Sequence, residues 1–208
     1  MRVGVTGGMG SGKTSLAGLL AARGAQVVDA DRLTHQVIER PAVREALKAA
    51  FGADLEGADG KLNRRELGHR AFADENTWRR LDQIVRTPLE AELWQQVAHA
   101  ESVGGERVVV VDAALLFEWG VQDRFDALVV VVADEATRLR RVAARLQLTK
   151  EEARRRLQRQ VAPGEQTRQA DFVVCNDGSL ADLELAADRV WQQLLQARDA
   201  ETKRPWRG

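Results

Sequence analysis

A doubly wound α/β architecture is the expectation for this 208-residue chain, and three observations lead to it. Five apolar, β-branched runs recur at residues 3–6, 26–29, 108–112, 127–132 and 172–175. They are continuous rather than alternating, as in strands buried on both faces of a parallel sheet. Segments with apolar residues at helical spacing separate them, which is the βαβ pattern. The third observation is the turn that joins the first run to the first helix, because it is built almost entirely of glycine.

That turn reads Gly7-Gly8-Met9-Gly10-Ser11-Gly12-Lys13-Thr14 and fills the pattern G-x-x-x-x-G-K-[ST]. It follows the strand-like Arg2-Val3-Gly4-Val5-Thr6 and precedes Leu16, Leu19 and Leu20 at helical spacing. A strand, a glycine-rich turn and a helix start together make a phosphate cradle, with backbone N–H groups and the helix dipole favouring an anion. Gly8, Met9, Gly10, Ser11, Gly12, Lys13, Thr14 and Ser15 are therefore candidate nucleotide contacts. Lys13 can reach the β and γ phosphates, and the Thr14 hydroxyl can ligate Mg²⁺. A dinucleotide site of the G-x-G-x-x-G kind is excluded, because its third glycine slot holds Ser15.

The second run ends in Asp29, followed closely by Asp31. If the backbone stays extended, residues two apart point the same way and both carboxylates face one site. Asp31 is the preferred general base for an attacking hydroxyl, the alternative being that it caps the next helix. The third run is four valines followed by Asp112, a Walker-B arrangement in which the carboxylate meets the Mg²⁺ shell.

Between the second and third runs lies the longest gap, and it reads as helical. Asp74 can cap a helix bearing Trp78, Leu81, Ile84 and Val85. Thr87-Pro88-Leu89-Glu90 has the form of a capping box with proline at the first helical position, so a second helix is expected to start there. Residues 35–106 are read as a helical insertion that binds the acceptor, grafted onto a nucleotide-binding core of 1–34, 107–135 and 170–198. Asp134, the Thr149-Lys150-Glu151-Glu152 box and Ser179 mark later helix starts. The tail, 199–208, is polar, contains Pro205 and is expected to fray.

Residues 136–169 read as a lid region rich in arginine. From 138 to 168 ten basic residues face only Glu151, Glu152 and Glu165. Arg138, Arg141 and Arg145 share one helical face, and Arg141 and Arg145 are the candidates for clamping phosphate and neutralising transition-state charge. Arg154, Arg155 and Arg156 read as a solvated face, and Arg159 extends the same run. The cluster carries no interleaved aromatic residue, which argues against RNA, and overall 31 basic residues balance 31 acidic ones. No Asn-Lys-x-Asp guanine signature is present, which argues against a GTP-dependent switch.

The single cysteine, Cys175, reads as a small buried hydrophobe of a core strand and fits a reducing compartment. His35 lies one turn beyond Asp31 and can line an acceptor site, whereas His69 and His99 read as surface residues. No apolar run is long enough to span a bilayer, and no signal peptide is expected ahead of the first strand. A cytoplasmic monomer or weak oligomer, without membrane or nucleic-acid partner, is the expectation.

Taken in order, several motifs resemble those of the dephospho-CoA kinase family. They are the glycine loop, Val28-Asp29-Ala30-Asp31 with His35, Phe51-Gly52, and Asp59-Gly60-Lys61-Leu62-Asn63-Arg64 with Leu67 and Phe72. Asp112 with Leu115-Leu116-Phe117-Glu118 follows, then Arg141, Arg145, Gln160, Ala170-Asp171 and Asn176-Asp177-Gly178. The resemblance implies a P-loop kinase fold, a five-stranded parallel sheet flanked by helices with a helical acceptor domain and a small lid. It implies transfer of the ATP γ-phosphoryl group to the 3′-hydroxyl of dephospho-CoA with Mg²⁺. On that resemblance Asp31 is the base and Lys13, Arg141 and Arg145 act on the phosphates. Thr14 and Asp112 serve the metal, Asn176 lies near adenine, and Asp29, His35, Arg64 and Leu115 contact the acceptor. Two positions depart from the family pattern, Thr87 where histidine is usual and Ala114 where proline is usual.

Overall fold

The computed structural model describes residues 1–57, 59–103, 107–157 and 163–202. Arg159, Gln160 and Pro205, named above, lie outside the described residues. In chain order the elements are β1 (Arg2–Thr6), α1 (Lys13–Ala22), β2 (Gln26–Asp29), α2 (Ala30–Val37), α3 (Pro41–Phe51), α4 (Arg64–Ala71) and α5 (Glu75–Ser102). They continue with β3 (Val109–Asp112), α6 (Leu116–Trp119), β4 (Ala127–Val132), α7 (Glu135–Leu146), α8 (Lys150–Leu157), α9 (Pro163–Arg168), β5 (Phe172–Cys175) and α10 (Leu180–Thr202).

The five strands form one sheet in the order β2-β3-β1-β4-β5. β1 pairs in parallel with β3 and β4, Gly4 standing opposite Val111 on one side and Leu128 on the other. β4 pairs in parallel with β5, Val130 opposite Val173. The three inner strands are buried almost throughout, which is why their sequences read as unbroken apolar runs. Val3, Val5, Val110, Val129 and Val131 pack with Leu16 and Leu20 of α1 and with Leu183, Ala187, Val190 and Leu194 of α10 in one core cluster. Each fully buried leucine there contributes about 1.5–3 kcal/mol relative to exposure.

The edge strands behave differently. β5 has only β4 beside it, and its residues alternate, Val174 buried while Val173 and Cys175 are exposed. The expectation that Cys175 is a core residue is therefore wrong. An apolar run at a sheet edge is covered on one face only, and the thiol falls on the other.

The chain divides into two compact units, Met1–Val28 with Ala100–Gly208, and Asp29–His99. Within the second, Leu33, Val37, Val43, Leu47, Leu55, Leu62, Leu67 and Ala71 are buried. The Arg70 guanidinium ties Asp54, Glu66 and the Phe51 carbonyl together. Asp74 accepts the Thr77 N–H at 2.9 Å as expected for a helix start.

The predicted break at Thr87 does not occur. α5 runs unbroken for 28 residues with Pro88 inside it. The capping-box signal is local, and it is overridden by a buried stripe at Val85, Leu89, Leu93 and Val97 that keeps helical phase on both sides of the proline. Arg86 also pairs with Glu90 at 2.7 Å across it.

Candidate active site

The phosphate loop leaves β1 at Thr6 and enters α1 at Lys13. Its tight turn is closed by the Ser11 N–H, which donates to the Gly8 carbonyl at 2.9 Å. Gly12 caps α1 at φ 98°, where a side chain is strained, and a Cβ there would also overlap the Asn176 side-chain amide. The loop can thus be built at this point only by glycine.

Three side chains hold the loop's carbonyls. The Arg138 Nε donates to the Met9 carbonyl at 3.1 Å, and Arg141 Nη1 donates to the Gly10 and Ser11 carbonyls at 3.3 and 3.4 Å. Asn176 Nδ2 donates to the Ser11 carbonyl at 2.7 Å. In a trans peptide the C=O and the following N–H point in opposite directions. Carbonyls drawn toward α7 and Asn176 therefore turn the Gly10 and Gly12 N–H groups to the other side, as an anion cradle requires.

Lys13 opens α1 and is almost wholly buried, its Nζ 3.9 Å from Asp112 Oδ1 at the end of β3. The parallel sheet explains the meeting, because β1 and β3 end on the same edge and β3 delivers Asp112 beside the loop that follows β1. Thr14 and Ser15 are exposed in the first turn of α1. A cavity of about 180 Å³ runs along Met9, Gly10, Gly12, Lys13, Thr14 and Ser15 to Arg141, Val142 and Arg145. Arg145 lines it with an exposed side chain. The volume suits part of a nucleotide, being below the roughly 300 Å³ at which sites for whole small ligands begin.

The loops at the ends of β4 and β5 are fixed by carboxylates. Asp134 caps α7, accepting the Thr137 N–H at 2.6 Å, and this bond holds its carboxyl below the usual carboxylate range. Asp177 accepts the Asp134 N–H at 2.7 Å, and Asp171 accepts the Leu128 N–H at 2.7 Å. Asp171 and Asp177 thus set the register and exit of β5, and they place Asn176 against the loop. The Thr149–Glu152 capping box forms as expected, and Ser179 caps α10 as expected, with Asp182 bonding back to it.

In the second unit, β2 ends at Asp29, and Asp29, not Asp31, caps α2, accepting the Arg32 N–H at 3.0 Å. Helical backbone begins at Ala30, so the strand alternation that would aim both carboxylates one way stops short of Asp31. Asp31 is exposed in the first turn of α2, and His35 is exposed one turn later. Arg64 is exposed at the start of α4, which Asn63 caps. Leu115, in the first unit, is half-buried just before α6.

Two residues at the loop were not singled out from sequence. Arg138 is buried and Gln166 of α9 is fully buried, and both line a cavity of about 10 Å³ with Gly8 and Ser11. Arg138 had a signal, since it shares a helical face with Arg141 and Arg145. Gln166 had none.

Comparison with known proteins agrees with this architecture. A dephospho-CoA kinase family model matches residues 1–182. A dephospho-CoA kinase from Corynebacterium glutamicum is 37% identical over 197 residues, covering 94% of this chain and 98% of that protein. The crystal structure of TT1252 from Thermus thermophilus superposes with a TM-score of 0.75 at 33% identity, covering 93% of this chain and 97% of that one. A shikimate kinase from Bacteroides thetaiotaomicron, 18% identical with a TM-score of 0.52 over 94% of this chain and 98% of its own, shares the fold. With a phosphate loop, a buried Lys13–Asp112 pair and a family match running from β1 into α10, the chain belongs to the dephospho-CoA kinase family.

Proposed function

We propose that the chain carries out the family's reaction, ATP-dependent phosphorylation of the 3′-hydroxyl of dephospho-CoA, with the residues assigned as follows. Loop residues Gly8, Met9, Gly10, Ser11, Gly12, Lys13, Thr14 and Ser15 bind the phosphates of ATP through backbone N–H groups and the Lys13 ammonium. Arg141 and Arg145 neutralise charge that spreads over the transferring group. Asn176 sits at the adenine side. Asp31 accepts the proton of the 3′-hydroxyl as its oxygen bonds to the γ-phosphorus, and the bond from that phosphorus to the bridging oxygen breaks to release ADP. Asp29, His35, Arg64 and Leu115 are the acceptor contacts.

Thr14 and Asp112 offer hard oxygen donors that suit Mg²⁺, and Mg²⁺ keeps most of its coordination for water and substrate phosphate. A preassembled cluster is therefore not needed, and among the described residues no group of three or more His, Cys, Asp or Glu side chains forms one. When bound, the ion supplies positive charge to the phosphate oxygens.

The observation that carries the reading is the loop itself, with its carbonyls held on one side by Arg138, Arg141 and Asn176 and with Lys13 buried at its end. The same reading takes residues 35–106 as the acceptor domain and 136–169 as the lid. It takes the enzyme as a cytoplasmic monomer or weak oligomer, acting on ATP and dephospho-CoA without nucleic acid or membrane. Among the described residues no helix is long and apolar enough to cross a membrane. Incubation with ATP, Mg²⁺ and a panel of acceptors tests the reaction: turnover of dephospho-CoA is expected, and turnover of a nucleoside monophosphate or of shikimate in its place would overturn it.

A further inference from the structure

Arg138 is the buried cation of α7, 8% exposed, and it lies against the back of the phosphate loop. A Cβ on Gly8 would overlap its guanidinium, so the loop and the arginine are in direct contact. Its Nε donates to the Met9 carbonyl, and among the described residues no carboxylate forms a close ion pair with it, Glu135 attracting it only at longer range. Burial lowers its pKa, and the neighbouring Glu135 offsets this only in part. Burying a cation without a carboxylate partner is costly for folding, so stability alone does not account for it.

The contact acts on one peptide. Drawing the Met9 carbonyl back toward α7 turns the Gly10 N–H the opposite way, and a charge-assisted bond at the carbonyl polarises that N–H into a stronger donor. Arg141 and Asn176 act on the next two carbonyls, and of the three side chains only Arg141 lines the nucleotide cavity. Arg138 also lines the 10 Å³ cavity with Ser11 and Gln166, whose buried Oγ and Nε2 have no hydrogen-bond partner among the described residues, and the cavity has room for about one water.

We propose that Arg138 is a positioning residue for the triphosphate: it orients the Met9–Gly10 peptide for phosphate binding from behind the loop and touches neither substrate. The inference rests on the kinase reading above. It predicts selectivity for the phosphates, because a nucleoside without phosphates has nothing to gain from the oriented amide.

The test measures ADP and adenosine affinity by calorimetry, KM and kcat for ATP, and thermal stability for wild type, Arg138→Lys, Arg138→Gln and Arg138→Met. Arg138→Met is expected to weaken ADP binding and raise the KM for ATP by about tenfold or more, the scale of a lost charged hydrogen bond. Adenosine affinity and kcat at saturating ATP should change much less. Arg138→Lys, which keeps charge and donor, should restore ADP binding most fully, and Arg138→Gln, a neutral donor, should fall between. An ADP affinity within about twofold of wild type in Arg138→Met, or equal losses for ADP and adenosine, overturns the inference. Should Arg138→Met fail to fold, the Lys and Gln variants decide: equal ADP affinity in the two overturns it. If wild type itself binds no ADP or ATP, the kinase reading falls and the inference with it, and that result is distinct from an unchanged Arg138 variant of a nucleotide-binding protein.

Discussion

The two compact units spend their polar residues in opposite ways. In the unit formed by Met1–Val28 and Ala100–Gly208, Thr14 and Arg145 are exposed but the other candidates are buried or in contact with backbone: Lys13 beside Asp112, Arg138 on the Met9 carbonyl, Asn176 on the Ser11 carbonyl. In Asp29–His99, the candidates Asp31, His35 and Arg64 are exposed, while the polar network of Arg70 with Asp54 and Glu66 serves the local fold. A phosphate chain has the same geometry in every nucleotide, so a rigid site assembled in advance lowers the cost of binding it. An acceptor hydroxyl must instead be met by groups that can adjust. Mutations of the buried candidates in the first unit should therefore disturb structure and catalysis together, and mutations of the exposed residues in the second should disturb catalysis alone.

The largest effect falls on Lys13. Lys13→Ala should lower kcat/KM by at least about 10³-fold, the scale of losing a cationic clamp on a transferring phosphoryl group. It should also lower the melting temperature, because the Asp112 carboxylate, 3% exposed, then keeps its burial and loses a cation 3.9 Å away. Steady-state kinetics and a thermal melt on the same sample check both halves. Lost activity with unchanged stability would break the claimed coupling of structure and chemistry in this unit.

Asp31→Asn is the matching substitution in the other unit. A general base contributes about 10²–10⁴-fold, so kcat should fall by that amount. ATP affinity and the melting temperature should stay near wild type, since the side chain is exposed and Asp29 caps the helix. A pre-steady-state measurement of the chemical step separates this from slow product release. A kcat within threefold of wild type would reassign the base.

How much of this was readable from sequence differs between the same two regions. All five strands were legible as apolar, β-branched runs, although only the three inner ones are buried almost throughout. The loop was legible because phosphate binding constrains glycine, lysine and threonine at fixed spacing. Side-chain burial at the sheet edges was not, since β5 carries the same kind of apolar run as β4 and only the sheet order tells that Cys175 has no covering layer. The roles of Asp29 and Asp31 depended on where strand gives way to helix, a one-residue question that spacing could not decide. The α7 face was visible as Arg138, Arg141 and Arg145, but which arginine is buried depends on how the loop packs against it. Gln166 carried no pattern at all.

The smallest predicted effect concerns α5, the helix that carries a capping-box signal in its interior. Pro88 sits inside α5 and has no N–H to give to the Ile84 carbonyl one turn earlier. The buried stripe at Val85, Leu89, Leu93 and Val97 holds the helix together in spite of this. Pro88→Ala restores the missing donor at a position where the backbone is already helical, and it should raise stability by about 1 kcal/mol. In a chain of this size that is a rise in melting temperature of about 2–4 °C. Activity on ATP and dephospho-CoA should be unchanged, because the substitution reaches no residue assigned to either substrate. A fall in melting temperature would mean that the proline relieves a strain the helical stripe does not reveal. Lost turnover at equal or higher stability would mean that the insertion needs a yielding point in α5, so that its adjustability lies in the helix backbone as well as in its exposed side chains.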